Sequence, residues 1–156
     1  MYSGDMLVSL TGIEEKQAPE GVKIKRAFPG DMYKILDFVY ENFGEGWKGE
    51  TTYALMQDPP KCWIATVDGK VVGFACYDAS AKDFFGPTGV SKEMRGKGIG
   101  EALLRRTLVA MREEGYAYAV IGWVGDAEEF YEKTVGAKYI DGGEPRNSVY
   151  SNMIRM

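Results

Sequence analysis

No histidine occurs among the 156 residues. That removes the side chain that most often serves as a general base near neutral pH and most often ligates a metal. Only two cysteines are present, Cys62 and Cys76, and without histidine they cannot complete a four-ligand zinc site. No metal is therefore expected. Long apolar runs are also missing, so no stretch reads as membrane-spanning. The opening MYSGDMLVSLTGIEEKQAPEG has neither the basic start nor the continuous apolar segment of a signal peptide. An excess of positive charge is absent too. The formal net charge is −4 and the isoelectric point is near 5.0. Nucleic acid and anionic membrane both require a basic surface, so neither is expected as a partner. A small anionic ligand needs only local positive charge and stays open.

What is present is an ordinary one-domain composition, 45% hydrophobic and 27% charged. Residues 1–20 end in the breaker around Pro19 and Gly21 and read as an extension or an extra edge strand before a domain over 21–156. VKIKRAF (22–28) alternates like a strand. Asp31 is placed to cap a helix that Gly44 ends. GEGWKGE reads as a loop, with a second short helix near 49–57 that Pro59 and Pro60 close. KCWIATVDGKVVGFACYDA is a hairpin with an Asp68-Gly69 turn. A two-residue turn pairs Cys62 with Ala75 and puts Cys76 on the other face, which disfavours a disulfide and suits a reduced, cytoplasmic setting. KDFFGPTGV is a strand interrupted at Gly86-Pro87. A helix to about Glu114, the apolar strand YAYAVIGWV with Trp123 in the core, a short helix AEEFYEKTV with an Asp126/Glu129 capping pattern, and the strands AKYI and SVYSNMIRM complete the chain. This order implies a mixed α/β sheet covered by helices.

MRGKGIGEALLRRTL (94–108) sets three glycines at alternate positions before a strong helix. A phosphate-binding P-loop fails, because its upstream glycine would be Ser91 and Gly98 follows Gly96-Lys97. A dinucleotide fingerprint fails on spacing. A helix that begins inside the glycine run leaves its first N–H groups unpartnered, at the positive end of the helix dipole, with no Cβ in the way of a pyrophosphate. Lys92, Arg95 and Lys97 add local charge.

Arg95-Gly96-Lys97-Gly98-Ile99-Gly100, followed by EALL, resembles the acyl-CoA loop Arg/Gln-x-x-Gly-x-Gly/Ala of the GCN5-related N-acetyltransferases, the GNAT family. Thr88-Gly89-Val90-Ser91 resembles the end of that family's cofactor strand. GDAEEFYEKTVGAKYI resembles its late helix, and the similarity covers about residues 22–156. The family's usual asparagine before that helix is missing; its place falls near Val124 or Asp126. Ala137 stands where a phenylalanine is usual.

The resemblance implies a GNAT-type fold, with a mixed, mostly antiparallel sheet splayed at the cofactor strand near Gly86–Val90. It implies that acetyl-CoA is held by Thr88, Gly89, Val90 and Ser91, by the amides of Arg95, Gly96, Lys97, Gly98, Ile99 and Gly100, and by Asp126, Phe130 and Tyr131. The implied reaction is direct acetyl transfer to a primary amine of a small molecule, such as an amino sugar or polyamine, or of a peptide. Val90 N–H would stabilise the tetrahedral oxyanion and Tyr131 would protonate the departing thiolate. With no histidine, a carboxylate acting through water is the default base. Asp78, Asp83 and Glu45 are candidates, beside a water chain with no single base. A non-catalytic acyl-CoA-binding module is the alternative, and a homodimer through the last strands is an open arrangement.

Overall fold

The computed structural model describes residues 4–154. Its centre is one seven-stranded sheet: β1 (Met6–Ser9), β2 (Val22–Arg26), β3 (Cys62–Val67), β4 (Lys70–Tyr77), β5 (Phe84–Val90), β6 (Tyr118–Ile121) and β7 (Lys138–Tyr139), in the order β2-β3-β4-β5-β6-β1-β7. All neighbours are antiparallel except β5 and β6. Four helices cover it: α1 (Met32–Phe43), α2 (Glu45–Leu55), α3 (Ile99–Glu113) and α4 (Glu128–Val135).

Strand alternation divides the interior in two. Cys62, Ile64, Phe74 and Cys76 face Ile35, Leu36 and Val39 of α1 and Ala54 and Leu55 of α2. Trp63, Ala65, Ala75 and Tyr77 face the opposite way, onto Leu103, Leu104 and Leu108 of α3.

Several expectations change. The hairpin turns at Asp68-Gly69, both at positive φ, but its register shifts between Ala65 and Thr66, where Val72 is the extra residue of a bulge. Cys62 is therefore opposite Cys76, not Ala75, and both thiols are free and buried on the same face. Glu45 to Gly49 are helical, as the first turns of α2. Two interior glycines cost about 1 kcal/mol each against alanine. Offsetting this, Trp47 packs its ring 5.1 Å from Phe43 and 6.1 Å from Phe74. Asp31 is the N-cap residue of α1, and Asp126 precedes α4, but neither makes a side-chain capping bond. The apolar strand shortens to the four residues of β6, with Tyr118 57% exposed.

The two ends depart most. The N-terminal segment is not an edge strand: β1 pairs with β6 on one side and β7 on the other, and Met6, Val8 and Leu10 are core. SVYSNMIRM forms no strand among its described residues. Pro145–Asn147 and Val149–Asn152 are 3-10 turns. Pro145 has no N–H for a ladder. Asn147 bonds Gly142 O and Glu144, and Ser148 bonds Asp5, so local side-chain bonds replace strand pairing. Residues 1–3 and 155–156 of these two readings lie outside the described residues.

Candidate functional site

The glycine run is where α3 begins. Gly98 is its N-cap residue, left-handed at φ +88°, with no side chain capping it, and Gly96 is at φ +78°. Non-glycine residues adopt such values rarely. A Cβ on either would meet nothing within 4 Å, so the space above the loop is open. The first main-chain bond into the loop runs from Ala102 N–H to Gly98 O; the amides of Gly96 through Gly100 have no acceptor among the described residues. Fifteen residues of α3 stand behind them, with the positive dipole end at the loop. Lys92, Arg95 and Lys97 are exposed around it. Lys92 and Lys97 have no carboxylate partner among the described residues. Arg95 donates from Nε to Val90 O, 3.0 Å, tying the loop to the strand before it.

That strand is β5, and here the sheet opens. β4 pairs with β5 as far as Gly73–Val90, but β6 pairs with it only at Phe84–Val120 and Phe85–Ile121. Gly86, at φ +115°, and Pro87, which has no N–H to give, stand at the divergence. From Gly86 to Val90 the β6-side edge has no strand partner among the described residues. Thr88 is fixed by its Oγ1 donating to Phe74 O, 2.9 Å. Gly89 lies under Phe43 of α1; a Cβ there would sit 2.4 Å from the ring. Ser91 is buried, with its N–H on Val72 O.

The splay leads into a cavity of about 800 Å³. Pro87, Thr88, Tyr131, Trp47, Trp123 and Tyr150 are among the residues that line it. Tyr131 is 6% exposed. Its hydroxyl has no hydrogen-bond partner among the described residues, and its ring meets Phe85 and Phe130. Burial, and secondarily the nearby Tyr150, hold its pKa well above the usual phenol value, so it remains protonated. Phe130 is partly exposed and approaches Gly100, where an added Cβ would be 4.0 Å from its ring. Asp126 is exposed and does not line the cavity. Trp123 is not core: it lines the cavity at φ +44°, its N–H held by Asp5 Oδ1 at 2.8 Å.

The acidic candidates separate. Asp78 is 3% exposed and accepts from Lys61, Tyr116 and the Asp83 amide. Burial first, and Asp78 second, push the Asp83 carboxyl up to about 6. Neither residue, nor Glu45, lines the cavity. Glu50 does. Ser80 donates from Oγ to Glu50 Oε2, and Tyr150 donates to Ser80 Oγ at 2.9 Å. Burial raises the Glu50 pKa, and the Ser80 bond opposes part of that. Sequence reading missed Glu50, Ser80 and Tyr150. The one available signal was an acidic residue one helical turn beyond a tryptophan, Trp47 to Glu50.

Comparison with known proteins bears on the family and the fold. The profile of the acetyltransferase (GNAT) family matches residues 30–137. A search of curated sequences finds no significant match. Among solved structures, a GCN5-related N-acetyltransferase from Sphaerobacter thermophilus superposes with a TM-score of 0.70 at 21% identity, over 86% of this chain and 47% of that one. A glucosamine N-acetyltransferase region of a fungal multi-domain β-N-acetylglucosaminidase gives 0.68 at 16%, over 86% of this chain and 19% of that one. Ard1 from Thermoplasma volcanium gives 0.54 at 20%, over 72% and 80%. The chain thus spans less than half the length of the first two, and likenesses at these identities speak for the fold. With more than half of its length matched by the family profile, the chain belongs to the acetyltransferase (GNAT) family.

Proposed function

We propose that the protein transfers an acetyl group from acetyl-CoA directly to a primary amine. The observation that carries this reading is the set of unpartnered amides from Gly96 to Gly100 at the head of α3, next to a strand edge that opens into a cavity. Family membership implies acyl transfer from an acyl-CoA. The loop fits a pyrophosphate: its donors are free, no Cβ fills the space, and Lys92, Arg95 and Lys97 supply charge. The β5 edge from Thr88 to Ser91 suits the amides of the pantetheine arm, as a strand addition would.

Acetyl-CoA, when bound, supplies an activated acyl carbon. The acceptor must arrive as a free amine, because an ammonium has no lone pair. Its nitrogen forms the C–N bond as the C–S bond breaks, and its surplus proton ends on the sulfur. Val90 N–H is assigned to the carbonyl oxygen as charge develops there. Tyr131 is assigned as hydrogen-bond donor to the sulfur: it lines the cavity, and its hydroxyl is protonated and uncommitted. Asp126 and Phe130 are assigned a place beside the cofactor outside the cavity.

Titration of the protein with acetyl-CoA in a calorimeter, and thiol release with an amine panel, test the reading. Binding together with acceptor-dependent thiol release is expected. No heat with any CoA thioester overturns it. Replacing Tyr131 by Phe is expected to lower kcat by about 10²-fold or more with little change in KM for acetyl-CoA.

A further inference from the structure

Among the described residues lining the cavity of about 800 Å³, Glu50 is the one charged side chain. The walls are otherwise apolar or aromatic: Trp47, Pro87, Trp123, Val149, Tyr150 and Met153. Apart from Tyr131, assigned above to the thioester sulfur, the hydroxyls present are already committed. Thr88 Oγ1 donates to Phe74 O, and Ser80 Oγ sits between Tyr150 and Glu50. A sugar brought here would leave hydroxyls unpaired, each costing about 1–3 kcal/mol. A polyamine would bring further ammonium groups with no second carboxylate among the described lining residues to meet them.

The chain of bonds Tyr150–Ser80–Glu50 ends on Oε2 and orients the carboxylate. Oε1 has no partner among the described residues. Tyr150 is itself fixed. Its ring lies 5.5 Å from Trp123 and 6.4 Å from Phe84, over a glycine, Gly122, where a Cβ would be 2.5 Å away. One unpartnered carboxylate oxygen on a residue lining a largely aromatic cavity complements a single cation on an apolar body, since ring faces also attract cations.

We propose that the acceptor is a primary monoamine carried on an aromatic or branched aliphatic body, seated with its ammonium at Glu50 Oε1. This rests on the acetyltransferase reading above. One N–H proton passes to the Glu50 carboxylate, leaving the lone pair on nitrogen. The resulting carboxyl returns that proton to water after the turnover. Glu50 is thus a catalytic residue, and Ser80 and Tyr150 are positioning residues. The raised pKa of Glu50 makes it the better proton acceptor. The titratable groups around it are Tyr150 and, beyond that ring, Asp5 and Tyr131.

The test compares 2-phenylethylamine, spermidine and glucosamine as acceptors for acetyl-CoA, with CoA binding measured in parallel. The expected kcat/KM for 2-phenylethylamine exceeds the other two by about tenfold or more. Glu50→Gln is expected to lower that value by about 10²-fold or more at neutral pH, with CoA affinity kept, which shows that the variant folds. The deficit should shrink as pH rises toward the amine's own pKa, about 10, where the substrate needs no base. Ser80→Ala should lower kcat with the same pH signature and a smaller amplitude. Preference for spermidine or glucosamine, no turnover of any of the three, or an unaltered Glu50→Gln variant overturns the proposal while CoA binding persists. Loss of CoA binding by the parent protein instead overturns the acetyltransferase reading, and this one with it.

Discussion

Gly122 has to be glycine because of what lies over it. A methyl group there would meet the Tyr150 ring at 2.5 Å, and that ring is boxed in by Trp123 and Phe84. Gly122→Ala should therefore displace Tyr150 and lower acceptor turnover by about tenfold or more, since small misplacements of positioning groups cost that much. Calorimetric affinity for CoA should not change. Gly98→Ala has the opposite signature. Its φ of +88° costs an alanine about 1–2 kcal/mol, and its Cβ enters the open space above the loop. CoA affinity should fall, measured by the same titration, with the secondary structure intact by circular dichroism.

Asp83 offers a test of stability. Burial and Asp78 raise its folded pKa to about 6, against about 3.9 in an unfolded chain. A raised carboxyl stabilises the fold below the lower value and loses that contribution as pH rises to about 6. Its Oδ1 is buried without a partner among the described residues. Asp83→Asn should therefore raise the melting temperature at pH 7 and make little difference at pH 4, read by scanning calorimetry. The glycine loop was legible from sequence because backbone conformation dictates residue type there. Glu50 was not: nothing local says that Ser80, 30 positions away, and Tyr150 would meet it.

At the scale of elements, α2 shows why the reading of residues 44–50 as a loop failed. Two glycines counted against a helix, but the contacts of Trp47 with Phe43 and Phe74 join that turn to the core. Tertiary packing overrides a propensity of this size. Gly46 and Gly49 line the cavity, and a Cβ on either would meet nothing within 4 Å. Gly49→Ala should thus stabilise the protein by about 1 kcal/mol through helix propensity, seen as a higher denaturation midpoint. The same methyl narrows the cavity, so KM for the acceptor should rise while KM for acetyl-CoA does not. The hairpin from Cys62 to Tyr77 was legible through its Asp68-Gly69 turn, but the Val72 bulge, which pairs Cys62 with Cys76, left no local mark.

Over the whole molecule, a mixed sheet follows from the order of elements and its splay from the family resemblance, but the partners of β6 follow from neither. The sequence Met-Leu-Val-Ser at 6–9 is mostly apolar, which does not say that it enters the sheet between β6 and β7. Long-range bonds put them there. Arg112 of α3 donates to Leu10 O and Ile13 O, and Arg105 to Glu14 O. Asp5, 6% exposed, accepts from Trp123 N–H and Ser148 Oγ. Asp5→Ala leaves that partly buried amide and the buried hydroxyl unpaired, a loss of about 1–3 kcal/mol. It should raise acceptor KM through Trp123 and the 148–152 turn more than it alters CoA affinity.

The bond between Asp5 and Ser148 spans 143 positions, whereas the glycine loop and its helix lie within residues 94–113. Loop-closure entropy and the dependence of folding speed on sequence separation place such distant contacts late. During synthesis, the glycine loop and helix proposed to grip the donor can assemble from a contiguous stretch of nascent chain. The half proposed to receive the amine must wait until residue 148 has left the ribosome and found its counterpart near the start.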